Sequence, residues 1–400
     1  LLDTQNCRCH TSVVRTSDVF ELLRDGQPRT RAQLADASGL ARSTIAARID
    51  LLMRLGLVAP YGDGVSTGGR PPSLLALNPS ARVVAGADVG ATHARIALAD
   101  LAGMILVERR EDLDVALGPE HVLSWVEQQI AEMLGEQNRT VAELAAIGIG
   151  LPGPVEHSTG RAINPPIMPG WDRYDVPAHV QRAFDVPVLI DNDVNIMALG
   201  ERHAHLADVD DLVFIKVATG IGAGIVSGGV LQRGAQGTAG DLGHVAVARG
   251  ADVVCRCGNR GCLEAIAAGP ALAAALRAAG VDAESGADVV RLVRGGDATA
   301  VQVVRQAGRD IGEVVATLVN LINPSAIVIG GLLADAGESL LAGIREVVYS
   351  RSLPLATEHL RVITSRAGER AGVIGAAALA IGHVLSPDAI DEASLRLAGA

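Results

Sequence analysis

Lysine is all but missing from this chain: of its 34 lysine and arginine side chains, only Lys216 is a lysine. The dominance of arginine reads as background composition, and Lys216 as a strand-end residue without a role. Long apolar runs are missing too. No stretch approaches the roughly 18 uninterrupted apolar residues of a membrane span, and no basic segment leads into an apolar one near the start. These absences set the expectation of a cytoplasmic protein with no membrane partner. Cysteine is scarce, at five residues in 400. Cys7 and Cys9 fall in a polar leader, residues 1–16, expected to lack structure. The other three are crowded together, which in a reducing compartment points to metal binding rather than a disulfide framework. Positive charge is in deficit overall: a net charge of -11 excludes a chain that meets nucleic acid over its whole surface.

The distribution of charge says more than its sum. Residues 1–80 hold nine arginines against seven acids, while the remaining 320 hold 25 cations against 38 acids. A weakly basic head on an acidic body is the asymmetry expected if only the head meets a polyanion.

The head, residues 17–80, has the pattern of three short helices and a hairpin. Val19, Phe20, Leu22 and Leu23 mark a first helix over 17–24. Thr30 caps a second over 31–37, and Gly39 turns the chain into a third over 41–55, whose Ile45, Ile49, Leu52 and Met53 share one face. The opposite face offers Arg42, Ser43, Thr44 and Arg48. Two helices joined by a tight glycine turn, with arginine and hydroxyl side chains near the start of the second, make a helix-turn-helix arrangement. Arg48 suits guanine edges, and Ser43 and Thr44 suit phosphates or bases. Strands at 56–58 and 73–77, separated by a glycine-rich tip carrying Arg70, read as a wing. A helical dimerisation module with an incidental loop has similar spacing, but the exposed arginines and hydroxyls favour DNA.

The body alternates strands and helices. From Val83 to Leu106 the pattern is a hairpin with Asp88, Gly90 and Thr92 at its turn. There small residues let backbone N–H groups approach a phosphate, or simply satisfy the turn. A helix over 120–134, a strand over 145–149 and a loop bearing Asn164 and Trp171 lead to a strand over 188–190. This strand ends in Asp191-Asn192-Asp193-Val194-Asn195, and in open α/β sheets ligands bind at such carboxyl ends. One acid there can be explained as a helix cap, but three polar groups in a row exceed what capping needs. The second half repeats the plan. It has a strand over 212–217, a turn of Thr219-Gly220-Ile221-Gly222-Ala223-Gly224, a second strand at 225–226, Ala-rich helices, and a strand over 326–329 ending in Gly330-Gly331. A strand over 361–364 and a small-residue helix over 372–381 close it. Two similar halves indicate a duplicated α/β unit with a cleft between lobes.

Within the second half, ahead of its Ala-rich helices, lies G-A-Q-G-T-A-G-D-L-G-H, followed after an apolar run by C-R-C-G-N-R-G-C-L-E. His244, Cys255, Cys257 and Cys262 supply the donor types of a four-coordinate structural zinc site, flanked by Asp241 and Glu264.

These motifs carry a resemblance. V-A-T-G-I-G-A-G-I, then Gly234 through His244, then C-x-C-G-x-x-G-C-x-E, together with the Asn192-Asp193-x-Asn195 turn, resemble the ROK family of sugar kinases and sugar-responsive repressors. The resemblance implies an N-terminal winged-helix domain followed by an actin-like, ribonuclease H-like duplicated fold. Its first lobe would be 81–200 plus 383–400 and its second lobe 201–382, with the zinc site in the second. It implies that Asp193 is a base toward a sugar hydroxyl, with Asn164, Asn192, Asp241, His244 and Glu264 around the sugar. Zinc ligands carry over to His244, Cys255, Cys257 and Cys262. Asp88, Gly90, Thr92, Thr219, Gly220 and Gly222 match turns for ATP phosphates with Mg, and Gly330-Gly331 the adenosine side. The chain departs from the kinase pattern at Ala91, His93, Ala218 and Asp241. The reading is a repressor binding operator DNA as a dimer or dimer of dimers, under a sugar or sugar-phosphate effector. The alternative is an ATP-dependent hexose or N-acetylhexosamine kinase with an accessory head.

Overall fold

The computed structural model of the protein describes residues 15–63, 73–165 and 167–399. The chain divides into two compact units. One comprises residues 1–83, 100–102 and 381–400, and the other 84–99 and 103–380.

In the first unit, α1 (Thr16–Glu21), β1 (Arg29–Thr30), α2 (Arg31–Ser38), α3 (Arg42–Arg54), β2 (Val58–Asp63) and β3 (Ser73–Leu77) follow one another. Thr30 caps α2 by accepting the Gln33 N–H, and Gln33 answers in a capping box. Gly39 ends α2 at φ +70°, a left-handed conformation that suits glycine. Ile45, Ile49 and Leu52 are fully buried, as the spacing predicts, while Met53 is only half-buried. The wing is a three-stranded sheet in the order β1-β3-β2. Its first strand is only two residues long and was not legible in the sequence. Its tip, with Arg70, lies outside the described residues, as does the leader up to residue 14.

The second unit holds two five-stranded sheets. The first is built from β4 (Val83–Val89), β5 (Ala94–Asp100), β6 (Ile105–Glu111), β7 (Leu144–Leu151) and β10 (Val188–Asn192). Between these come α4 (Pro119–Glu136), the short pair β8 (Val155–Glu156) and β9 (Arg161–Ala162), and α5 (Val176–Val180). Then α6 (Asp193–His205) leads to β11 (Leu212–Val217), β12 (Ile221–Ser227) and β13 (Val230–Gln232). After these come α7 (Glu264–Ala267), α8 (Gly269–Ala278), α9 (Gly286–Arg294), α10 (Ala298–Ile322), β14 (Ala326–Gly330), α11 (Glu338–Arg351), α12 (Pro354–Thr357), β15 (Arg361–Thr364) and α13 (Ala371–Val384). The sheet orders, β10-β7-β4-β5-β6 and β13-β12-β11-β14-β15, are one topology used twice: a three-stranded meander extended by two further strands. The duplication is therefore real.

Three details differ from the expected pattern. Each half opens with three strands rather than a two-stranded hairpin. Strand β6 carries Glu108, Arg109, Arg110 and Glu111, and charges on an edge strand hide its apolar alternation. The glycine turn is shorter than its motif, because Gly222, Ala223 and Gly224 lie within β12, paired to β11. Helix α11 is an addition that packs on α10 with close backbone approach. A Cβ on Gly308 would meet the Leu340 carbonyl at 2.3 Å, and one on Gly343 the Arg305 carbonyl at 2.3 Å.

Small residues on α13 likewise let it lie directly on the first sheet and on α6. A Cβ on Gly375 would sit 1.6 Å from the Ile196 carbonyl oxygen, and one on Gly148 2.1 Å from that of Ala376. So α13 returns to the first lobe. The final helix, α14 (Pro387–Gly399), belongs instead with the head unit, where it packs on α1 and α3. Asp391 accepts the Ser17 backbone N–H at 3.0 Å and its hydroxyl at 2.8 Å.

Candidate functional site

The carboxyl end of β10 delivers the polar run onto the start of α6. The cap is Asn192, whose Oδ1 accepts the N–H groups of Val194 and Asn195 while its amide donates to the Gly153 carbonyl at 2.8 Å. Neither acid is needed as the cap. Asp191 is buried and receives Arg233 Nε at 2.7 Å on one oxygen and the Asn195 amide at 2.7 Å on the other, with His157 Nδ1 3.9 Å away. Asn195 is buried too, and its Oδ1 has no protein partner.

Asp193 is 5% exposed. Its Oδ1 accepts the Val194 N–H at 2.8 Å, and its Oδ2 lies 2.5 Å from Lys216 Nζ. The lysine set aside at the sequence level is thus the ion-pair partner of the residue singled out as a base. Burial would lower the Lys216 pKa, but the charge and hydrogen bond of Asp193, with the charge of Asp88 beyond, hold it above its ordinary value. Burial pushes Asp88 up to about 7, with Lys216 opposing the rise and Asp193 adding to it. The Asp88 carboxylate lies against the start of α13, where a Cβ on Gly372 would sit 2.0 Å from its Oδ2. His93, in the same turn, is lowered by burial and then by Lys216. Gly90 donates its N–H to the His93 carbonyl, so that amide is engaged within the turn, and Leu113 donates to the Thr92 carbonyl.

The second glycine turn meets the same region. Gly222 packs beside Val194, next to Asp193. Glu264 Oε2 accepts the Ile221 N–H at 3.0 Å, and a Cβ on Gly220 would lie 2.6 Å from that oxygen. Gly243 packs against the Ile221 carbonyl and near the Glu264 side chain. The start of β12 therefore gathers Glu264, the His244 turn and the α6 start. Thr219 stands in this turn, where Ala218 donates to the Gly220 carbonyl. Gly330 and Gly331 are accounted for by packing, since added Cβ atoms would meet the Phe214 ring at 2.3 Å and the Val217 carbonyl at 2.7 Å. Asn164 is exposed in a left-handed conformation, its N–H held by Asp172. Asp241 is also exposed, with Oδ1 3.9 Å from His244 Nε2.

His244, Cys255, Cys257 and Cys262 place their donor atoms within 4.8 Å of one another. Cys257 and Cys262 Sγ are 3.7 Å apart, and Cys255 Sγ is 3.7 Å from His244 Nδ1. A tetrahedral zinc with Zn–S bonds of about 2.3 Å has S–S edges of roughly 3.8 Å, so these donors fit the ion. Burial, then the neighbouring thiols, push Cys262 up to about 12; a divalent cation reverses this by taking thiolates as ligands. With Nδ1 turned to the cluster, His244 presents Nε2 to the side of Asp241.

On the head, Arg42 and Ser43 are exposed at the start of α3, and Thr44 and Arg48 are half-buried along it.

Comparison with known proteins covers both units. Residues 12–60 match the IclR helix-turn-helix domain, and residues 84–383 match the ROK family. The xylose repressor of Caldicellulosiruptor bescii is 30% identical over 382 residues, covering 92% of this chain and 95% of that protein. A crystal structure of a ROK family transcriptional regulator, a homolog of the Escherichia coli MLC protein, is similar with a TM-score of 0.82 at 28% identity, over 95% of this chain and 98% of that one. A ROK family glucokinase from Streptomyces griseus, solved with glucose and AMPPNP, matches 74% of this chain and 98% of its own, with a TM-score of 0.63 at 29% identity.

Proposed function

The chain belongs to the ROK family, and from that premise we propose that it is a sugar-responsive transcriptional repressor. The observation that carries this is the joining, in one chain, of a helix-turn-helix head to a ROK body, with full-length similarity to a repressor. The glucokinase structure matches 74% of this chain, where the transcriptional regulator matches 95%.

In this reading Arg42, Ser43, Thr44 and Arg48 on α3 meet operator DNA, where exposed cations neutralise phosphates and side chains near the helix start reach base edges. Asp193, Glu264 and His244 surround the sugar with carboxylate and imidazole acceptors and donors, and Asn192, Asn164 and Asp241 stand at the margins. Zinc held by His244, Cys255, Cys257 and Cys262 supplies a rigid clamp. Four protein donors leave no open coordination position, and the clamp fixes the His244 ring orientation. The turns at Asp88–Thr92 and Thr219–Gly222 are retained from a nucleotide site. The protein acts in the cytoplasm as a dimer, so that sugar binding alters the spacing of two heads on paired half-sites.

The test is fluorescence anisotropy of the purified protein on DNA from its own promoter region, with a panel of aldoses and N-acetylhexosamines, at fixed salt. Specific binding that one sugar shifts at least tenfold is the expected result. DNA affinity no greater for that promoter than for random duplex would overturn the proposal.

A further inference from the structure

We propose that Lys216 disarms the carboxylate of Asp193, so that the cleft is a receptor which binds a neutral sugar without phosphorylating it. This rests on the reading of Asp193 as the group facing a sugar hydroxyl.

Phosphoryl transfer from ATP would require the sugar oxygen to attack the γ-phosphorus. The bond from that phosphorus to the bridging oxygen breaks, its electron pair leaves with ADP, and the hydroxyl proton passes to a base. Asp193 is placed for that last step, yet both its oxygens already hold donors: the Val194 N–H on Oδ1 and the Lys216 ammonium on Oδ2. Through remaining lone pairs it can still accept a hydrogen bond from a sugar hydroxyl. Taking the proton is different. It would cancel the charge that compensates a half-buried ammonium, and uncompensated buried charge is what proteins avoid most strongly.

The strand that carries the lysine is held on both sides. Its backbone sits in the middle of the second sheet, in register with Gly222 on β12 and Gly330 on β14. Its other acidic neighbour, Asp88, is raised toward neutrality by burial and so is a weaker counter-ion than Asp193. The geometry bears on the ligand as well. At the start of α6, Lys216 is bound to Asp193 and Arg233 to Asp191. Both cations are already engaged by carboxylates, which favours a neutral sugar over a phosphate monoester.

The experiment compares the wild type with Lys216→Thr, Lys216→Met and the double variant Asp193→Asn/Lys216→Met. Sugar-dependent ADP release from ATP with Mg²⁺ is measured, with sugar binding by calorimetry and operator binding by anisotropy on each protein. The wild type is expected to bind a neutral sugar without turnover. Lys216→Thr is expected to gain turnover on the order of 10²-fold above that background, the range a positioned general base supplies, and the double variant to stay silent. Wild-type turnover that Lys216→Met abolishes would overturn the proposal by making the lysine catalytic. Silence in both single variants that still bind sugar would overturn it too, because something else would then disable Asp193. Turnover in the double variant would show that the gain does not run through Asp193. If Lys216→Thr gains turnover while no sugar alters operator binding, the regulator reading fails and this one stands.

Discussion

Lys216 Nζ stands 2.5 Å from Asp193 Oδ2, joining β11 of the second sheet to the first residue of the helix that leaves the first. The only lysine of the chain is spent on this one contact. The pair spans the two halves of the duplicated body, so its removal should be felt in stability as well as in chemistry.

Lys216→Met should lower the unfolding free energy by on the order of 2 kcal/mol, because it strands Asp193 beside Asp88. Asp193→Asn/Lys216→Met should recover part of that loss. Urea unfolding of the single and double variants forms a cycle whose coupling term should be favourable. Additive losses would mean that the pair contributes nothing.

Asp88 gives a pH signature. Its pKa is raised from 3.8 to about 7 on folding, so the native state holds a proton that the unfolded chain has lost. The stability from this group is full below pH 3.8 and is lost as pH rises toward 7. Asp88→Asn should therefore flatten the pH dependence of unfolding between pH 5 and 7, by at most about 1.4 kcal/mol per pH unit. Identical slopes in wild type and variant would contradict the burial of that carboxylate.

The cysteine cluster should carry one equivalent of zinc, measurable by plasma emission on the purified protein. Cys262→Ser should lose the metal and lower the melting temperature by several degrees, since binding energy at a structural site is folding energy. Retention of a full equivalent would move the site elsewhere.

Arg42→Ala should weaken operator binding without altering sugar affinity, and should reduce the slope of log K against log salt by about 1 if the contact is to phosphate. An unchanged slope with relaxed base preference would place Arg42 in the groove instead.

What the sequence revealed and what it hid follow from the range of each interaction. Thr30, Gln33 and Gly39 act within one turn of their own helix, so the head was readable. The thiols and imidazole lie within 19 residues, so their convergence was readable as well. The three-stranded openings were half-read, because Glu108 to Glu111 interrupt the alternation of β6. The role of Lys216 was misread. Its partner lies 23 residues earlier, at a helix start, and only the placement of β11 against α6 brings the two together. Asn192, rather than either flanking acid, proved to be the cap; side-chain direction at a helix start cannot be counted off from composition. Helix α11 has no counterpart in the sequence reading, which does not reveal that Gly343 and Gly308 let it lie close against α10.

The last helix has a genetic consequence. Because α14 packs on α1 and Asp391 holds Ser17, the DNA-binding unit is assembled from segments 374 positions apart in the chain. A stop codon after Ser386 would spare every residue of the helix-turn-helix and still strip the cover from its first helix. Truncations that remove α14 should therefore score as loss of repression, mapping far along the gene from the segment they disable.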